Sequence, residues 1–330
     1  MVRKKVEMPK IERAIRTAAF NVRGYVQRGI IELRFRNKIR NIKVASANED
    51  DFEYEISIVA IFKNEAEYIQ EWIEYHRLIG IEHFYLVNNN STDNYKDVLT
   101  PYVDNGIVAL IDMPEQNVQI PAYEYVITHF GRQNKWLAII DIDEFIVLSG
   151  DRRDLPAFLK RFDSSVSQLL IGWMVFGSSG QEKKLPGLVS DRFRMHASDD
   201  FIADYADYKA IIKPKKFLSM TIPHWANVVG DTVDETGKKY IRYPKNNTKI
   251  AVPAPKNEIR INHYYSKSVE EFVAKSNRGF ADHIGLERSM QNFYEHDQNI
   301  ESDGRMDSLI TELKDKFQNS DLIARRRDEI

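Results

Sequence analysis

The sequence predicts an α/β protein with a doubly wound, mostly parallel sheet flanked by helices. Short apolar runs rich in β-branched residues alternate with segments whose apolar residues recur at helical spacing. Such runs are typical of parallel strands, which are buried on both faces. Alternating strands and helices predict a sheet whose ligand site lies at the carboxyl ends of its strands.

The first half of the chain carries the regular part of this pattern. Strands are predicted at 56–62, 83–87, 107–111 and 136–140. Helices are predicted at 67–78, from the polar loop 88–94 to Asp104, and at 123–133. Outside this region we predict a helical segment at 11–43, strands at 168–176, 209–213 and 258–265, loops at 227–257, and mainly helix at 268–330.

Composition excludes several kinds of chemistry. The 330 residues include no cysteine, so disulfides, thiolate zinc sites and cysteine nucleophiles are excluded. Hydrophobic residues make up 43% of the chain, which is ample for a packed core. The sequence contains no apolar run of the roughly 18 residues that a membrane-spanning helix needs. The start of the chain lacks the pattern of a secretory signal, so we expect a cytoplasmic protein.

The net charge of −2 hides a strongly basic first segment. Residues 1–43 contain 13 lysines and arginines against three glutamates, which leaves the rest of the chain acidic. One reading is a solvated helical extension that packs on the body or on a partner. The alternative is peripheral contact with anionic headgroups on the inner face of the membrane. Nucleic acid is not an expected partner, because aromatic residues do not interleave the basic ones.

Two carboxylates stand at the end of the last predicted strand of the first half. Asp141 and Asp143 follow 136–140 directly, and residues two apart on an extended backbone share a face. Carboxylates at the end of a buried strand are costly unless something pairs with them, and a hard divalent cation that also binds phosphate oxygens does so. The alternative is that the pair caps a helix that follows.

Six short motifs occur along the chain in a characteristic order. They are FKNE at 62–65, WIEYH at 72–76, VNNNSTD at 87–93, IDIDEF at 140–145, WMVFGSSG at 173–180 and INHYYSKS at 261–268. The first and third resemble segments of glycosyltransferase family 2, and the other four together resemble glycosyltransferase family 92. The resemblance covers about residues 55 to 280 and implies a GT-A-type fold. It divides the chain into a basic extension (1–50), a nucleotide-sugar-binding half (51–150), an acceptor-side half (151–267) and a helical region (268–330).

The resemblance also implies a set of donor-binding residues. The residues near the uracil and ribose of a UDP-sugar would be Phe62, Asn64, Glu65, Asn89 and Asp93. Asp141 would bind the donor nearer to its diphosphate. Family 2 usually has acids where this chain has Asn88 and Asn89, and amides also recognise bases because they both donate and accept hydrogen bonds. The alternative for this loop is a helix N-cap made by Ser91 or Asp93.

The resemblance further implies a histidine as third ligand of Mn²⁺ or Mg²⁺, beside Asp141 and Asp143. We expect His263 in that role, with His224 as the alternative, and a structural role for His76. Lys267 is placed to reach a phosphate oxygen. Lys275 and Arg278 either neutralise the diphosphate or lie on a solvated helix face.

The resemblance also implies residues on the acceptor side. The resemblance suggests that Trp173, Ser178 and Ser179 lie near the acceptor, with membership of the protein core as the alternative for Trp173. Family 92 enzymes look inverting, and inversion needs a carboxylate base. The candidates are Asp199, Asp200 and Asp204.

These features together predict a metal-dependent, inverting glycosyltransferase that moves a sugar from a UDP-linked donor to a glycan or glycolipid hydroxyl. Two alternatives remain. One is a metal-dependent phosphoester hydrolase, which would need further ligands near the loop 145–148. The other is a non-catalytic relative that binds a nucleotide-sugar.

Overall fold

The computed structural model describes residues 51–150, 153–201, 208–240, 255–277, 288–302 and 304–328. Three predictions fall outside these residues: the helical segment 11–43, the candidate base Asp204, and Arg278. None of the described helices is long and apolar enough to cross a membrane.

The first half of the chain alternates strands and helices as predicted. Its elements are β1 (Tyr54–Phe62), α1 (Ala66–Leu78), β2 (His83–Asn88), α2 (Tyr95–Asp104), β3 (Val108–Asp112), α3 (Gln119–Phe130), β4 (Asn134–Ile139) and β5 (Glu144–Leu148). The second half contains α4 (Leu155–Leu159), β6 (Val166–Val175), α5 (Val189–Arg192), β7 (Met195–His196), β8 (Tyr208–Ile212), β9 (Phe217–Ile222), β10 (Trp225–Val228), β11 (Asp231–Val233) and β12 (Lys239–Tyr240). It continues with β13 (Ile259–His263), α6 (Val269–Asn277), α7 (Met290–His296), β14 (Glu301–Ser302) and α8 (Asp307–Asp328).

The central sheet has the strand order β12-β11-β6-β8-β4-β1-β2-β3. Strands β4, β1, β2 and β3 are parallel, whereas β8 runs antiparallel to both of its neighbours. Strand β13 joins the sheet through β6 and pairs antiparallel with β5. The predicted doubly wound, mostly parallel α/β sheet is confirmed.

Each face of the sheet has its own apolar core. On β1, Ile56, Ile58 and Ala60 pack on one side with α1 and α8, and Val59 and Ile61 pack on the other with α3 and β10. This alternation follows from the period of two along a strand. Burial on both faces explains why the sequence of β1 is an uninterrupted apolar run.

The register of the parallel strands fixes the edge at which a site can form. Phe62 pairs with Asn88, Asn88 pairs with Asp112, and Val59 pairs with Ile139. The carboxyl ends of β1, β2 and β4 therefore meet at one edge of the sheet. The polar segments 63–65, 89–94 and 141–143 leave from that edge.

Three local predictions were wrong. No helix follows Asp143 in the described structure, because 144–148 forms β5, so the helix-capping alternative for the two aspartates fails. The segment 145–148, predicted as loop, is fully buried and pairs with β13. Within 227–257, predicted as loops, strands β11 and β12 form and pair with each other. Such short elements depend on distant partners, which periodicity cannot reveal.

Candidate functional site

The turn that carries the two aspartates follows β4 almost directly. The backbone N–H of Glu144 donates to the carbonyl oxygen of Asp141 at 3.1 Å, and the Glu144 carboxylate accepts from the N–H of Asp141 at 2.9 Å. Ile142 lies in the core, as its spacing predicted. The side chains of Asp141 and Asp143 are 30% and 12% exposed to solvent.

Asp141 is held by partners from two other elements. Its Oδ2 lies 2.6 Å from Nζ of Lys209 on β8, and its Oδ1 accepts a hydrogen bond from the Tyr123 hydroxyl on α3 at 3.1 Å. Burial opposes the charged form of Asp141, but the ammonium of Lys209 outweighs it and keeps the pKa of Asp141 below its usual value. Asp141 is therefore a fixed carboxylate whose two oxygens are already engaged.

Asp143 has a different environment. Its Oδ2 lies 2.6 Å from Nζ of Lys275 on α6, and its Oδ1 lies 3.7 Å from Nε2 of His263 at the end of β13. Burial raises the pKa of Asp143, but Lys275 and His263 outweigh this and hold the pKa well below its usual range. His263 is brought here because β13 pairs with β5, which puts His263 opposite Glu144.

His263 is a neutral imidazole at physiological pH. Burial lowers its pKa to about 3, since the charged ring would be poorly solvated and Lys275 and Lys209 are close. A neutral ring keeps a nitrogen lone pair that a metal ion can accept. The geometry thus pairs an ionised carboxylate with a neutral imidazole at the sheet edge.

Three buried polar atoms around His263 have no hydrogen-bond partner among the described residues. They are Oε1 of Glu144, Nδ1 of His263 and Nε1 of Trp173. The Glu144 oxygen lies 4.0 Å from Nε2 of His263, and the Trp173 and His263 rings lie 4.5 Å apart. Unpaired buried polar atoms are rare and often mark a place for an ion or ligand.

A divalent cation fits this pair of ligands in part. The described residues contain no group of three or more histidine and carboxylate side chains arranged as a complete metal site. Mg²⁺, however, is commonly bound by one or two carboxylates together with substrate phosphates, and Mn²⁺ also suits carboxylate ligands. Asp143 and His263 fit such a cation. Asp141 as a direct ligand stays a prediction.

His224, the alternative ligand, has a different set of contacts. Its Nδ1 donates to the carbonyl oxygen of Tyr208 at 3.0 Å, and its ring meets the edge of Trp173 at 5.0 Å. Burial lowers its pKa to about 3. His76 is fully buried and donates from Nδ1 to the carbonyl oxygen of Trp72, in agreement with the predicted structural role.

Lys267 provides a cation beside this site. Its Nζ lies 3.8 Å from the centre of the Tyr68 ring, and its backbone has a φ of 51°, which is uncommon for a residue other than glycine. The residue is only 5% exposed, yet no carboxylate of the described residues forms an ion pair with its ammonium. Its charge helps to lower the pKa of Asp143.

The two loops predicted to hold the nucleoside are bound to each other. Oδ1 of Asn64 accepts from the N–H of Thr92 at 2.7 Å, and Oγ of Ser91 accepts from the N–H of Asn64 at 2.9 Å. Nδ2 of Asn89 donates to the carbonyl oxygens of Met113 and Glu115. These bonds fix the edge of the sheet where β1 and β2 end.

The N-cap alternative for this loop is wrong. Helix α2 begins at Tyr95, and its cap residue Asn94 forms no side-chain capping bond. Asp93 instead accepts from the N–H of Ala66 at the start of α1, at 2.9 Å. Its other oxygen, Oδ1, is buried with no hydrogen-bond partner among the described residues. Phe62 packs in the core against Tyr95, so its side chain stabilises the base of the loop 89–94.

The predicted acceptor residues lie around the end of β6. Trp173 is 7% exposed, between His263 and His224, so it belongs to the core and also borders the site. Ser178 donates its N–H to Asp297, and Oγ of Ser179 accepts from the N–H groups of 194 and 195. Both serines thus stabilise the turn that follows β6.

The two described candidate bases are exposed. Asp200 accepts a hydrogen bond from the hydroxyl of Ser198, and the carbonyl oxygen of Asp199 accepts from Lys256. Neither residue forms a contact with the aspartate turn in the described structure. Their role as base stays a prediction.

Sequence reasoning missed Lys209 and Glu144. Lys209 is fully buried on β8 and lies within 3.5 Å of Glu144 as well as beside Asp141. The detectable signal was a lysine inside an otherwise apolar strand, since a buried lysine requires carboxylate partners.

Comparison with known proteins identifies the family of the chain. The family model described as Glycosyltransferase family 92 matches residues 53–284. A glycosyltransferase family 92 protein of Ricinus communis is 25% identical over 264 residues, which cover 78% of this chain and 42% of that protein. One of Oryza sativa subsp. japonica is 24% identical over 191 residues, 57% of this chain and 31% of the relative.

The chain thus spans less than half the length of these curated relatives. Among solved structures, S. aureus TarS 1–349 overlaps with a TM-score of 0.33 and 14% identity, over 48% of this chain and 47% of TarS. The match to the family model covers well over half of the sequence. The chain belongs to glycosyltransferase family 92.

Proposed function

We propose that this chain is a metal-dependent glycosyltransferase that moves a sugar from a nucleotide-sugar, with a UDP-sugar favoured, to a hydroxyl of a glycan or glycolipid. The observation that carries this proposal is the grouping of Asp143, His263 and Lys267 near the edge where the loops after β1 and β2 meet. A carboxylate, a neutral imidazole and an ammonium without an ion-pair partner in the described part of the chain together suit a metal–diphosphate group.

The phosphate end of the donor is matched by charge. Lys267 offers an ammonium that has no ion-pair partner among the described residues, and Lys275 forms an ion pair with Asp143. Ammonium groups bind phosphate oxygens well. Asp143 and His263 would hold Mn²⁺ or Mg²⁺, which as a Lewis acid would stabilise the negative charge of the departing diphosphate.

The nucleoside end is matched by hydrogen-bonding groups. Asp93 keeps one buried oxygen without a partner in the described structure, and Asn64 lies at the same edge with a φ of 54°. A carboxylate oxygen in this place suits an N–H of the base or a ribose hydroxyl. The loop bonds described above hold these groups in position before a donor arrives.

An inverting reaction would need a base on the acceptor side. We propose that the acceptor approaches near Trp173 and the turn that contains Ser178 and Ser179. The base would then come from the segment that includes Asp199, Asp200 and Asp204. A carboxylate there would accept the proton of the attacking hydroxyl.

A donor panel tests the proposal. Purified protein is incubated with UDP-, GDP-, dTDP- and CDP-linked sugars in Mn²⁺, Mg²⁺ or EDTA, and release of nucleoside diphosphate is measured. We expect a UDP-sugar to be hydrolysed or transferred with Mn²⁺ or Mg²⁺ and not with EDTA.

Other outcomes would favour the alternatives. Turnover of p-nitrophenyl phosphate without release of nucleoside diphosphate would indicate a phosphoester hydrolase. A thermal shift with a nucleotide-sugar but no turnover, in every metal and with a mixed glycan acceptor, would indicate a non-catalytic binding protein.

A further inference from the structure

The side chain of Lys275 forms an ion pair with Asp143, the carboxylate that the proposed cation would also bind. Its Nζ lies 2.6 Å from Oδ2 of Asp143, donates to the carbonyl oxygen of Tyr265 at 3.1 Å, and lies 4.3 Å from the centre of the Tyr265 ring. The side chains of Lys275 and Asp143 are 11% and 12% exposed. The lysine is thus a well-anchored internal cation.

We infer that Lys275 is an internal counterion of Asp143 that the diphosphate of the donor draws away, so that metal and donor bind cooperatively. The inference rests on the proposed function and assigns Lys275 a role in it. Before a donor binds, the ammonium neutralises Asp143. When the diphosphate arrives, the ammonium contacts phosphate and Asp143 becomes available to the cation.

Charge balance explains why the two ligands would depend on each other. Asp143, Lys267 and Lys275 together already carry a net positive charge. A divalent cation that bound alone would increase this positive charge. It would also lie close to the ammonium of Lys275, which is 2.6 Å from the Asp143 carboxylate that both cations would use. The negative charges of a diphosphate compensate the dication and give Lys275 a second partner, so each ligand lowers the cost of binding the other.

The position of Lys275 permits this exchange. Lys275 lies on α6, which begins two residues after Lys267, so the two cations belong to the same segment of the chain. Its contact with the Tyr265 ring needs no bond to Asp143, since the attraction is to the ring itself. Nζ itself makes this ring contact and also donates to the carbonyl oxygen of Tyr265, so the ammonium keeps partners on Tyr265 while it exchanges Asp143 for phosphate.

Direct measurement of Mn²⁺ binding tests the inference without relying on turnover. Free Mn²⁺ is quantified by electron paramagnetic resonance, with and without UDP, for the wild type and for Lys275→Met. In the wild type we expect UDP to tighten Mn²⁺ binding by about 10-fold or more, and Mn²⁺ to tighten UDP binding by the same factor. Lys275→Met should bind Mn²⁺ alone about 10-fold more tightly and show a smaller effect of UDP.

Two control variants separate this role from general electrostatics. Lys275→Arg keeps the charge and should retain weak binding of Mn²⁺ alone. Lys267→Met removes a nearby ammonium that does not contact Asp143, so it should weaken UDP binding without a comparable gain in affinity for Mn²⁺ alone. Thermal unfolding of each variant checks that it is folded.

The possible failures are distinguishable. If Lys275→Met leaves both the affinity for Mn²⁺ alone and the effect of UDP unchanged, the exchange is overturned while the proposed function stands. If the wild type binds no Mn²⁺ even with UDP, the proposed metal dependence fails, and the exchange fails with it. If Lys275→Met does not fold, Lys275→Gln takes its place, since it also removes the charge, and the same two results support or overturn the inference.

Discussion

Replacement of Asp143 by asparagine is expected to lower metal-dependent release of UDP from a donor sugar by at least about 100-fold, which corresponds to about 3 kcal/mol of transition-state stabilisation. The carboxylate faces both Lys275 and His263, and a neutral amide of the same size removes the charge that would attract a cation. The fold should persist, because the amide oxygen of asparagine can still accept the hydrogen bond from Nζ of Lys275.

The measurement is kcat/KM with Mn²⁺ for the wild type, Asp143→Asn and the control Asp104→Asn. Asp104 is an exposed aspartate at the end of α2, so its replacement makes the same change of charge away from the site. We expect the control to stay within about twofold of the wild type. Wild-type turnover in a folded Asp143→Asn protein would refute the assignment of Asp143.

Replacement of Lys209 by methionine should lower the free energy of unfolding by about 3–5 kcal/mol. Lys209 is fully buried and lies 2.6 Å from Asp141 and 3.5 Å from Glu144. Methionine fills a similar volume but leaves two carboxylates close together without a cation. Burial already raises the pKa of Glu144 well above its usual value. Protonation of Glu144 should therefore limit the decrease in the free energy of unfolding, because it removes one of the two negative charges.

Urea unfolding at neutral pH measures this effect, with Lys213→Met as the matched control. Lys213 directly follows β8, and its half-buried side chain donates from Nζ to the backbone carbonyl oxygen of Asp163 and lies over the Trp136 ring. Its replacement should cost less than about 1 kcal/mol. A similar small loss for Lys209→Met would show that the buried ion pair contributes little to stability.

The sequence was sufficient to predict the sheet and the acidic turn. Strands buried on both faces leave uninterrupted apolar runs such as that of β1, and parallel pairing requires their carboxyl ends to meet at one edge. That reasoning located Asp143, and family resemblance added His263, whose Nε2 lies 3.7 Å from the Asp143 carboxylate. Their roles in catalysis stay predictions.

The counterions could not be predicted from sequence spacing. Lys209 is 68 residues from Asp141, and Lys275 is 132 residues from Asp143, so both pairs exist only because β8 and α6 pack against the aspartate turn. Strand β5 was missed for a related reason. A five-residue apolar segment is ambiguous until its partner β13, more than 100 residues later, is known.

A crystal structure with Mn²⁺ and UDP, read by anomalous scattering at the manganese edge, tests the central claim most directly. The account predicts one manganese peak within about 2.5 Å of both a carboxylate oxygen of Asp143 and Nε2 of His263, in contact with the diphosphate. It also predicts that Nζ of Lys275 has left Asp143 for a phosphate oxygen. UDP bound at this edge without manganese, or manganese bound away from Asp143, would contradict the account.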